Sequence, residues 1–216
     1  HFRIVPPSTD WNSSGAYLTP DHLESGTLNN GVIAASFGIN KYEQNGLWSF
    51  DWPRYPDSIK ITDTAGNISY FSQQDLAAKG IATSFQVDTA SPDLTAPMLK
   101  DLWFTYTRDA SGNLQCTAHA KIQDNLSGIK PAWNSCHLRL TGPNGSGAYV
   151  VLDHVESGTA CDGVISGNFT VDSSGQEGPW TFDWSRYPDS VKITDIGNNY
   201  RFYSQDDLKG LGIKTT

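Results

Sequence analysis

Residues 46–76 read GLWSFDWPRYPDSIKITDTAGNISYFSQQDL, and residues 178–208 read GPWTFDWSRYPDSVKITDIGNNYRFYSQDDL. Aligned without a gap, 19 of the 31 positions are identical, at a constant offset of 132 residues. Chance does not produce a match of this length, so the chain is a tandem repeat of one domain-sized unit. The repeat extends backwards. SGAYLTPDHLESGT ends at Thr27 and SGAYVVLDHVESGT ends at Thr159, at the same offset. Further upstream the register slips, and His1 falls on His137 at an offset of 136. That implies about four extra residues in one turn of unit 1.

The repeat sets the expected organisation: unit 1 over residues 1–90, a linker over 91–97 and unit 2 over 98–216. The linker SPDLTAP holds two prolines, which disfavour helix and stiffen the connection. Unit 2 opens with a segment, 97–136, that unit 1 does not show. The expectation is that unit 1 lacks its first two strands and exposes strand edges. Either those strands belong to a longer chain or another chain donates them, as in filaments built by strand addition.

Strand periodicity runs throughout. Trp48, Phe50 and Trp52 alternate with Ser49 and Asp51, which predicts a core-facing stripe repeated at Trp180, Phe182 and Trp184. Ile59 and Ile61 fall on the opposite parity, so a bulge or turn is expected within residues 53–58. Further strands are expected at 16–18, 32–37, 84–87, 102–107 and 114–123, and one helical turn at 73–76. With 20 Gly and 11 Pro to supply turns and no helical periodicity over three turns, the expected class is all-β, as two tandem β-sandwiches.

Charge and composition exclude some partners. A net charge of −8 argues against nucleic acid and anionic membrane surfaces, and no run is apolar enough for a spanning helix. Cys116, Cys136 and Cys161 show no zinc-site spacing. One disulfide among them plus a buried thiol is expected, without a choice of pair. Three buried free thiols is the other reading.

Unit 1 carries Thr62-Asp-Thr-Ala-Gly-Asn67, and it is followed by Asp93-Leu-Thr-Ala-Pro97, Asp124-Asn-Leu-Ser-Gly-Ile129, Ser157-Gly-Thr-Ala-Cys-Asp-Gly163 and Gly178-Pro-Trp-Thr-Phe182. This pattern resembles the immunoglobulin-like repeats of large bacterial surface and secreted proteins, adhesins among them. The resemblance implies an immunoglobulin-like sandwich and an extracellular, cell-surface location. Unit 2 departs from the pattern at Cys161 and at Ile196-Gly-Asn-Asn199.

No nucleophile motif, phosphate loop or singled-out carboxylate pair is present, so no catalysis is expected. His1 at a terminus suggests a copper-binding brace, but it aligns with the internal His137 and reads as a strand residue. Asp-His-x-Glu recurs at His22/Glu24 and His154/Glu156, and its presence in both copies fits a structural turn better than a metal site. Calcium is the cofactor considered. Asp93 and Asp124 lie where strand ends meet and are the candidate ligands, with turn capping as the competing role. Turn capping is the expected role for Asp63 and Asp195. Two functions remain open: a structural repeat of an adhesin stalk or filament, whose partners are its own kind or neighbouring repeats, and a glycan- or protein-binding module of a secreted enzyme. Exposed aromatics separate them. Tyr55, Tyr187, Trp11 and Trp133 are the aromatic residues that strand parity leaves unexplained.

Overall fold

The computed structural model describes residues 2–7, 15–56, 59–172, 178–188 and 190–214. The class is all-β, with antiparallel sheets and two short helices. The chain divides into two compact units, His1–Pro92 and Asp93–Thr216. The boundary therefore falls inside the segment expected to be a linker. The Ser91 amide donates to Lys41 in unit 1, whereas Asp93 is buried in unit 2 and the Pro97 carbonyl accepts from the Tyr203 hydroxyl.

Unit 1 holds β1 (Phe2–Val5), β2 (Ala16–Leu18), β3 (His22–Thr27), β4 (Asn30–Ala34), β5 (Gly46–Phe50), β6 (Ile59–Thr62), β7 (Ile68–Phe71), α1 (Gln73–Ala78) and β8 (Ser84–Val87). β2, β1, β5 and β8 form one sheet in that order, while β3–β4 and β6–β7 are separate hairpins. Its core is small: Ile4, Leu18, Trp48 and Val87, flanked by half-buried Phe2, Ala16, Ala35, Ile39 and Phe50.

Unit 2 holds β9 (Met98–Arg108), β10 (Leu114–Gln123), β11 (His137–Thr141), β12 (Gly147–Val151), β13 (His154–Gly158), β14 (Asp162–Val171), β15 (Thr181–Phe182), β16 (Val191–Thr194), β17 (Tyr200–Tyr203) and α2 (Gln205–Gly210). One sheet runs β13-β14-β10-β9 and the other β12-β11-β16-β17, with β15 also on β11. Both feed one core. Leu102, Ala118, Ala120, Ile122 and Ile165 come from the first sheet, and Leu138, Leu140, Val150, Val191, Ile193 and Tyr203 from the second. The alternation along 114–123 causes this, because one parity of β10 is apolar and turns inward.

The aromatic stripe is corrected at its end. Trp48 and Phe182 are buried, but Phe50, Trp52, Trp180 and Trp184 are half-buried, and both Trp52 and Trp184 lie in turns beyond the strands. The strand stops because the chain folds back at once: the Trp52 amide donates to the Phe50 carbonyl and the Tyr55 amide to the Asp51 carbonyl, with the same pattern in unit 2. The turn expected within 53–58 is present in its described part. Asp51, expected on the face opposite the stripe, and its counterpart Asp183 are buried instead. Asp51 accepts from Arg3 at 2.9 Å, and Asp183 pairs with Arg186 at 3.2 Å. A buried carboxylate persists only when so compensated.

Candidate metal centre

Three aspartates from three separate parts of unit 2 converge. Asp93 precedes β9, Asp124 follows β10 and Asp195 follows β16. One carboxylate oxygen from each lies within 4.8 Å of the others. All three side chains are buried, at 1%, 8% and 0% relative exposure.

Local turns hold each carboxylate. Asp124 heads the Asp-Asn-Leu-Ser-Gly loop, and its Oδ2 accepts the Leu126 amide at 3.1 Å and the Gly128 amide at 2.7 Å. This is the Asx geometry expected of aspartate in a turn. Gly128 sits at φ +83°, where a Cβ would meet Ala160 and the Cys161 thiol, so glycine is needed there. Asp93 Oδ1 accepts the Thr95 amide at 3.1 Å and its Oδ2 the Ser127 amide at 2.9 Å, fastening the incoming chain to the Asp124 loop. Asp195 accepts the Asn199 amide at 2.8 Å and the Asn199 side-chain amide at 2.9 Å. The other Nδ2 proton of Asn199 reaches the Asp93 carbonyl at 2.9 Å. A bridge between Ile129 and Asp195 closes the group.

Electrostatics set this cluster apart from an ordinary turn. The ion pairs of the described residues involve none of the three. Burial, with the charges of Asp93 and Asp124 adding to it, pushes the Asp195 carboxyl up to about 7, against the opposing hydrogen bonds from Asn199. Asp124 Oδ1 is buried and has no hydrogen-bond partner. An unsatisfied buried carboxylate oxygen is costly and calls for an explanation.

The structure thus brings together Asp93 and Asp124, the pair expected from sequence, and adds Asp195. Asp195 does cap its turn as expected, but it also faces the other two. The only sequence signal for this was its place at a strand end, since Ile129 and Asp195 meet through tertiary pairing. Asp63, its counterpart in unit 1, is a turn cap only. It is exposed and accepts the amides of Ala65 and Asn67 and the Asn67 side chain, which hold its carboxyl below the usual range.

The expected disulfide is not formed: Cys116, Cys136 and Cys161 are free thiols. They occupy different surroundings. Cys116 lies on β10, Cys136 is in the core beside Thr194, and Cys161 is at the β13–β14 turn next to Leu126. Burial raises the Cys136 thiol to about 12.

The Asp-His-x-Glu motif, expected in a turn, instead opens a strand in each unit, with His22 and Glu24 on β3 and His154 and Glu156 on β13, and in unit 2 it belongs to a hydrogen-bond network. His154 joins Asp153 at 2.7 Å and Ser166 at 2.9 Å, while His119 joins Glu156 at 2.6 Å and Thr105 at 2.8 Å, its ring stacked on Trp103. Asp153, His154 and Ser166 reproduce the order of a serine-nucleophile relay, which motif reading did not find. Ser166, however, is 1% exposed beneath these side chains, and a nucleophile must reach its substrate. A cavity of about 660 Å³ in unit 2 is walled by aromatics including Phe104, Phe169, Trp180 and Phe182. Its thiol, Cys116, is shifted upward by burial and so is a poor nucleophile.

Among the exposed aromatics, Trp133 packs on Tyr149 at 5.0 Å, and the Arg139 guanidinium lies over the rings of both Tyr149, at 5.2 Å, and Tyr187, at 3.9 Å. Tyr55 of unit 1 has Arg3 over its ring at 6.0 Å. His1 and Trp11 lie outside the described residues. No family model, curated protein or solved structure matches the chain.

Proposed function

We propose that this chain is a non-catalytic structural stretch of an extracellular surface protein, an adhesin stalk or filament component built of immunoglobulin-like repeats. The observation that carries the reading is the strand order of unit 2. With β9 to β17 lettered in chain order, one sheet reads D-E-B-A and the other C′-C-F-G, where β15 and β16 are two halves of strand F on β11. An immunoglobulin-like sandwich would have this strand order, which supports the reading. Its near-duplication along one chain favours a role in building length, since arrays of like units extend by repetition. The burial of Ser166 supports reading its hydrogen bond with His154 as structural. Labelling intact source cells with an antibody raised against the chain tests the location. Surface staining that is lost on protease shaving is expected, and staining only after lysis would sink the reading.

A second reading has its own observation. Trp133, Tyr149 and Tyr187 are linked through Arg139 on unit 2, and Trp133 is 71% exposed. An exposed indole beside tyrosine rings suits sugar rings in a glycan-binding module. Binding to an oligosaccharide array that is lost in Trp133→Ala would favour it. An array silent for the wild-type chain would remove it.

A further inference from the structure

We propose that Asp93, Asp124 and Asp195 bind one divalent cation of the hard, oxygen-seeking class, with calcium as the resident ion. The donors are three carboxylates and no nitrogen or sulfur, which selects calcium or magnesium over zinc or copper. The ligand oxygens lie within 4.8 Å of one another. A spread of at most 4.8 Å admits either ion, and calcium is preferred because it accepts irregular sets of six to eight oxygens where magnesium demands a near-ideal octahedron. The orphaned Asp124 Oδ1 is the second, independent sign: it is the one oxygen of its carboxylate with no amide donor, in a side chain more than nine-tenths buried. The backbone amides that hold Asp93, Asp124 and Asp195 fix the three groups before any ion arrives. The oxygens of Asp93 and Asp195 each accept one hydrogen bond and keep a lone pair for a metal, whereas Asp124 Oδ2 accepts two amides and leaves that role to Oδ1. The cation would tie the segment that enters β9 to the loops after β10 and β16, all within unit 2.

A competing account needs no metal: a protonated Asp195 donates to Asp124. The two accounts diverge in the response to calcium. In the competing account Asp195→Asn, which mimics the protonated acid as a donor, preserves stability and calcium does nothing.

The test uses the whole chain, stripped with chelator and then titrated with calcium chloride by calorimetry and by thermal unfolding. One ion per chain and a rise in the unfolding midpoint are expected. Asp124→Asn and Asp195→Asn should each weaken binding at least tenfold. Without calcium, both should unfold no earlier than the wild type, because each removes a like charge from the cluster. Asp63→Asn should leave binding unchanged. Absence of heat and of any midpoint shift up to about 10 mM calcium, beyond the weak end of extracellular calcium modules, would overturn the proposal. An equal response to magnesium would overturn the calcium assignment, and a second ion lost in Asp63→Asn would overturn its restriction to unit 2.

Discussion

Ile61 and Ile193 occupy the same place in the two copies of ITD, yet Ile61 is 48% exposed and Ile193 is 0% exposed. Ile33 and Ile165 differ in the same way, as do Asp63 and Asp195. The local structure does not account for this. Each copy forms the same hairpin, β6–β7 or β16–β17, with corresponding residues opposite one another. Each carries the same bulge before its SGT turn. The difference lies in what faces the hairpin. In unit 2, β16 pairs with β11, and β9 and β10 supply Leu102, Ala118, Ala120 and Ile122 to the core it enters. The described part of unit 1 contains no counterpart of β9 or β10, and β6–β7 stands as a two-stranded ladder. Sequence thus determines which residues alternate and where chains turn. Burial, and every energy that depends on it, comes from the partner sheet.

The largest test of that difference is a pair of truncations. Ile193→Ala removes a fully buried side chain from the shared core and should cost about 2–5 kcal/mol in urea unfolding. Ile61→Ala, half in water, should cost less than about 1 kcal/mol. Equal losses would mean that Ile61 is covered in solution and would break the comparison.

The aspartates sharpen it through pH. In chelator, Asp195 of the folded chain keeps its proton up to about 7, whereas the unfolded chain releases it near 3.8. Between those values the folded state binds more protons, so stability from this group rises as pH falls from 7 towards 4, by on the order of a few kcal/mol. Asp63 has the opposite sign. Its carboxyl is lowered, so its small contribution is present above 3.8 and fades only on stronger acidification. Unfolding midpoints from pH 4 to pH 7 with chelator present should therefore fall with rising pH in the wild type. They should be nearly flat in Asp195→Asn. A flat wild-type profile would count against the burial of Asp195.

Much of this was legible in the sequence. Strands 16–18, 84–87 and 114–123 coincide with β2, β8 and β10, because period-2 alternation and turn residues are local signals. Asp93 and Asp124 were legible as strand-end carboxylates. Three things were not. The inward turn of Asp51 and Asp183 depends on a fold-back after Phe50 and Phe182 and on Arg3 and Arg186 as partners. The third ligand, Asp195, depends on the Ile129 bridge. The separation of the three thiols depends on which strands adjoin which. All are facts of tertiary pairing, which one chain read alone does not display.

The smallest effect concerns a place where the units agree. Ser72 and Ser204 each cap a short helix, α1 or α2, and in both a capping box is complete: the serine accepts the amide of Asp75 or Asp207, and that aspartate accepts the serine amide. Leu76 and Leu208, within these helices, are both buried. The unit-to-unit contrast in burial therefore does not reach this element. Ser72→Ala and Ser204→Ala should each cost about 1 kcal/mol. Arg201, where unit 1 has Ser69, lies 3.5 Å from Asp207 and holds that carboxylate at the helix start when the serine hydroxyl is gone. An exposed pair of this kind contributes about 0.2–1 kcal/mol. Ser204→Ala should thus be milder than Ser72→Ala by a few tenths of a kcal/mol, and adding Arg201→Ser should remove the gap. If Ser72→Ala were silent while Ser204→Ala was costly, the partner sheet would govern even the caps, and the likeness of the two units would end at their sequences.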